Sequence, residues 1–103
     1  MDSRATGFQA RAKALVETAM SRHGKRLSWT EEDGNLYPNE LMIVGRNSDA
    51  SIVVWLYDDG LDIQTAGHSI VNFEAQNFPT EDALLQRALS YVEKAVGEPN
   101  VRA

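Results

Sequence analysis

No cysteine occurs in the 103 residues. That absence excludes a disulfide framework, a thiolate nucleophile and a cysteine zinc site, so the core must hold without covalent staples. A reducing compartment suits such a chain, and a cytoplasmic location is the expectation. Long apolar runs are also missing. The longest is Ile52 to Tyr57, six residues, against about 20 for a membrane span. The stretch Met1-Asp2-Ser3-Arg4-Ala5-Thr6-Gly7 lacks the apolar segment of a secretory signal. No membrane partner is expected.

The chemistry-bearing motifs are missing as well. There is no phosphate loop, dinucleotide fingerprint, zinc-protease helix or EF-hand spacing, and the glycines stand singly. No Ser-His-Asp or Cys-His arrangement is recognisable. The expectation is therefore a protein that is not an enzyme and carries no cofactor. No repeat, low-complexity tract or Pro/Gly/Ser-rich linker divides the chain. Residues 1–103 read as one domain, with 1–5 and 98–103 as frayed tails.

What is present is ordinary globular usage: 43% hydrophobic and 24% charged residues, enough apolar material for one core. The formal net charge of −5 conceals an asymmetry. Residues 1–26 hold six Lys/Arg against two Asp/Glu; residues 27–103 hold four against thirteen. An acidic body is a poor match for phosphates, so no nucleic-acid partner is expected. It suits a basic protein.

Periodicity supplies the elements. Phe8, Ala12, Leu15, Val16, Ala19 and Met20 recur at intervals of three and four, which predicts a helix over 7–23 with one apolar stripe. Thr6 and Gln9 have the spacing of a capping box. Gly24 suits the left-handed residue that closes a helix. A second helix begins after Pro79, with Thr80 as cap and Glu81 and Asp82 in its first turn. Its stripe is Leu84, Leu85, Ala88, Leu89, Val92, Ala95 and Val96, and Gly97 with Pro99 ends it.

Between the helices the period falls to two. A short strand around Leu27 and Trp29 should be followed by a turn at Glu31-Glu32-Asp33-Gly34-Asn35. Further strands are expected at 41–45, 51–57, 61–65 and 69–74. Asp58-Asp59-Gly60 reads as a hairpin whose Asp-Gly step supplies positive φ. Connections this short require antiparallel neighbours. The fold class is thus α+β: a two-layer sandwich with N- and C-terminal helices packed on an antiparallel meander of four to five strands, in the order α-β-β-β-β-β-α. Two one-sided helices cover one sheet face. The strand 51–57 is largely apolar on both faces, which leaves the second face partly exposed and open to cover over Val53, Trp55 and Tyr57. The Leu36–Pro38 loop, a second copy of the chain or a partner could provide it.

Candidate metal ligands are few. Asp58, Asp59, Asp62 and His68 are hard or borderline donors, but the first two belong to a turn. His68 should sit at the other end of a strand, roughly 20 Å away at the usual rise. Glu31, Glu32, Asp33 and Glu40 form an acidic segment better suited to docking than to acid/base work. Trp and Tyr are favoured at binding hot spots, which singles out Trp29, Trp55, Tyr57 and the loop residue Tyr37. The sequence therefore points to a small acidic protein-binding module; a bacterial immunity-type protein or an antagonist of a basic partner is its concrete form. The docking residues are Glu31, Glu32, Asp33, Tyr37, Glu40, Trp55, Tyr57, Asp58, Asp59 and Asp62. Homodimerisation through the second sheet face is compatible with it. The competing expectation is a small ligand-binding domain or enzyme with a pocket near His68.

Overall fold

The computed structural model describes residues 7–33, 41–48 and 51–97. The first helix, α1 (Gly7–Ser21), buries Phe8, Ala12, Val16, Ala19 and Met20, the stripe that its spacing prescribes. It ends two residues earlier than expected. A turn follows, in which Gly24 takes a φ of 71° and Lys25 N–H closes back on the Met20 carbonyl at 3.0 Å, the bonding that a left-handed residue permits. Thr6, half of the expected capping box, lies outside the described residues. The Gln9 side chain is fully buried and donates to the Leu56 carbonyl at 3.2 Å, tying the helix to the sheet.

Five strands follow in simple meander order: β1 (Ser28–Asp33), β2 (Leu41–Arg46), β3 (Ile52–Tyr57), β4 (Gly60–Thr65) and β5 (Val71–Glu74). Every neighbouring pair is antiparallel. Short connections dictate this, since parallel neighbours need a crossover of a dozen or more residues. A single 3₁₀ turn (Ala75–Asn77), which the apolar pattern does not signal, leads into α2 (Glu81–Gly97). Thr80 caps α2: its Oγ1 accepts the Ala83 N–H at 3.0 Å.

Three expectations need correction. Glu31, Glu32 and Asp33 are not turn residues; they extend β1 and pair with Ile43, Met42 and Leu41. β1 is an edge strand, and edge strands accept charged side chains that also discourage pairing with other chains. The hairpin after β3 exists, but its loop is Asp58-Asp59, with Gly60 already paired to Tyr57. Gly60 has no positive φ. It is glycine because a Cβ there would lie 2.4 Å from the Phe73 carbonyl oxygen of β5. Finally, β5 starts at Val71, leaving Ser69 and Ile70 in the connection.

Both helices lie on one face of the sheet, as their single stripes require. α1 packs over β3, α2 over β4 and β5, and the helices pack on each other. Their core joins Ile43, Ile52, Val54, Leu56, Leu61, Ile63 and Phe73 to Leu84, Leu85, Ala88 and Val92. Trp29 and Tyr91 close its margins, Tyr91 tilted against Phe73 with ring centroids 5.9 Å apart. Arg11 pairs with Glu81 and Asp82 near both helix starts, and Arg22 with Glu93 near both ends. The helices therefore run in the same direction, as an odd number of antiparallel strands between them demands.

Candidate functional site

In a strand, successive side chains alternate between faces. On β3 this sends Ile52, Val54 and Leu56 into the core and leaves Val53, Trp55 and Tyr57 half-buried on the opposite, outer face. The strand register then assembles that face. One row crosses Thr30, Val44, Trp55, Asp62 and Asn72; the next places Glu32 opposite Met42, and Tyr57 opposite Gly60, which pairs with Glu74. Arg46, Val53 and Gln64 form a third row. Ile70, just before β5, is a large apolar side chain left 51% exposed. Val44 has no exposed surface, yet it belongs to this face and not to the helix-side core.

Polar contacts order the outer face. Tyr57 donates its hydroxyl to Asp62 Oδ2 at 3.1 Å, and the Asn72 amide donates to Asp62 Oδ1. Each carboxylate oxygen thus receives one neutral donor. Glu32 Oε2 accepts from Thr30 at 3.1 Å and from Arg46 at 3.4 Å. Asp58 and Asp59 are exposed at the β3–β4 turn.

Charge is divided along the chain. Residues 27–80, which supply the sheet, hold nine Asp/Glu and a single Lys/Arg, Arg46. The helical layer is basic overall, because residues 81–97 add only three acids and two bases to the basic first segment. Much of the helical charge is internally matched. The Arg11 guanidinium, hydrogen-bonded to Asp82 and beside Glu81, is held above the ordinary arginine range. Among the described residues, Arg11 and Arg22 pair with acids of α2, and Arg46 pairs with Glu32 within the sheet.

The structure brings several of the expected docking residues together. Glu32, Trp55, Tyr57 and Asp62 share the outer face, and Asp58 and Asp59 flank it at the hairpin. Glu31 alternates to the helix side of the edge strand. Tyr37 and Glu40 lie outside the described residues, as does the Leu36–Pro38 loop. Trp29 is not part of this surface. Its Nε1–H donates to Glu17 at 2.7 Å, its ring lies 5.8 Å from the Lys13 ammonium, and it packs over Gly45.

His68 is exposed in the β4–β5 turn, where its N–H donates to the Thr65 carbonyl at 3.1 Å. The six residues of β4 separate it from Asp58 and Asp59. No group of three metal-ligating side chains occurs among the described residues. A shallow groove lies elsewhere, between the end of α1 and the start of β1, lined by Glu17, Ser21, Lys25, Arg26, Leu27 and Ser28. No described helix is long and apolar enough to cross a membrane.

Sequence reasoning missed the polar contacts of Asn72 and Asn47, and it read Gln9 as a capping residue where the structure buries it against the Leu56 carbonyl. Asn47 is buried in the β2–β3 connection, donating to Ser51 Oγ at 2.8 Å and accepting from Ile52 N–H at 3.3 Å. Only the register of β4 and β5 reveals that Asn72 meets Asp62. Comparison with protein-family models, with curated proteins and with solved structures finds no match for this chain.

Proposed function

We propose that the protein is a small acidic binding module whose outer sheet face docks a basic protein. The supporting observation is the charge of that face among the described residues: Glu32, Asp62 and Glu74 lie on it and Asp58 and Asp59 flank it, against Arg46, while Arg11 and Arg22 pair within the helical layer. Trp55 and Tyr57 stand half-buried in the middle of that face, the kind of side chain that anchors interfaces. Acidic surroundings speed association with a cationic surface and penalise anionic partners. An antagonist or immunity-type protein that masks a basic enzyme is the concrete form of this reading. The same charge argues for a foreign partner over a second copy, because two outer faces would repel.

Affinity capture with three baits tests it: the wild-type protein, Trp55→Ser with Asp62→Asn on the outer face, and Arg87→Ser on α2. A basic protein retained by the first and third and lost by the second supports the reading. Retention of the same proteins by all three, or of acidic proteins only, overturns it.

A further inference from the structure

We infer that Trp55 and Asp62 form a receptor for an arginine side chain of the basic partner. This rests on the reading that the outer sheet face docks such a protein, and it names the residue that the partner must offer. Trp55 and Asp62 are directly opposite in the β3–β4 register. Directly opposed side chains on one face begin about 4.5–5.5 Å apart, so a planar cation laid on the indole reaches the carboxylate beside it. Both residues are half-buried and accessible from the outer face.

Asp62 is oriented without being neutralised. Tyr57 fixes one oxygen and Asn72 the other, and both donors are uncharged. Among the described residues, Arg11, Arg22 and Arg46 pair with Glu81, Asp82, Glu93 and Glu32, and no Lys or Arg pairs with Asp62. An ionised carboxylate has about four acceptor sites. Two neutral hydrogen bonds leave room for a forked donor, and they hold the group still before the partner arrives, which lowers the entropy lost on binding. Arginine fits better than lysine. Its guanidinium is planar, stacks on aromatic faces and bonds a carboxylate through parallel N–H groups, whereas an ammonium is a strongly hydrated point charge.

Two labelled peptides of equal length and charge, a Gly-Arg-Gly repeat and a Gly-Lys-Gly repeat, test the inference by fluorescence anisotropy at low salt. Wild type should bind the arginine peptide about tenfold more tightly. Asp62→Asn, which keeps an amide oxygen as acceptor, should erase that preference; Tyr57→Phe, which frees one carboxylate oxygen, should reduce it. Asp58→Asn with Asp59→Asn should weaken both peptides equally and keep the preference. Near-UV circular dichroism confirms that each variant is folded. Equal binding of the two peptides to wild type, or a preference that survives Asp62→Asn, overturns the arginine receptor and leaves charge-driven docking standing. Binding of neither peptide overturns both.

Discussion

Trp29 fills the space that a side chain at Gly45 would need. The two are directly opposed across β1 and β2, and a Cβ at Gly45 would lie 2.7 Å from Trp29 Cζ3 and 2.9 Å from Cη2. The indole has little freedom to retreat, since Glu17 accepts its N–H. Gly45→Ala is expected to destabilise the protein by about 1–3 kcal/mol, the range for overpacking a filled site. Urea denaturation measures this; a change under about 0.5 kcal/mol would mean that the ring is free to move.

Gly60 presents the harder version of the same constraint. Its virtual Cβ would meet backbone, the Phe73 carbonyl oxygen at 2.4 Å, not the end of a side chain. Relief requires moving β5 away from β4. Gly60→Ala should therefore cost more than Gly45→Ala, at or beyond the upper end of about 3 kcal/mol. The ranking of the two midpoints in one denaturation series checks it.

Thr80 holds the start of α2 through its bond to Ala83 N–H. Thr80→Ala should cost about 1 kcal/mol and Thr80→Ser much less, because serine keeps the accepting oxygen. Thermal unfolding of the two variants separates the lost cap from a mere change in size.

Two outer faces carry the same sign, so pairing through them should be disfavoured at low salt. Sedimentation equilibrium is expected to give a monomer at low ionic strength, with any self-association growing only as salt screens the acids within a Debye length of about 10 Å at 0.1 M. A stable dimer at low salt would contradict the proposed role of this face.

The helices were the most legible part of the fold. Apolar spacing alone placed Ala12, Val16, Leu84 and Val92 in the core, and Thr80-Glu81-Asp82 marked where α2 begins. The antiparallel pairing of neighbours followed from connections too short to cross over, while the order of all five strands came from the structure. The acidic stretch Glu31-Glu32-Asp33 misled because acids and a following Gly-Asn are turn residues in composition, while pairing with β2 overrides that preference at an edge. Gly60 misled for a related reason: Asp-Gly is a turn signal, but a close approach by Phe73 is a second cause for glycine that only the third dimension shows. Of the candidate site, alternation separated Trp55 and Tyr57 from the core residues of β3. The meeting of Asp62 with Tyr57 and Asn72 depends on register across three strands, which no local pattern encodes.

The most direct test of the outer face as the docking surface is an amide and indole NMR titration of labelled protein with the Gly-Arg-Gly peptide. The account predicts shifts at Thr30, Val44, Val53, Trp55, Asp62 and Asn72, with the Trp55 indole moving and the Trp29 indole, bonded to Glu17, staying in place. Shifts confined to α1 and α2, or a Trp29 indole that moves while that of Trp55 does not, would contradict it.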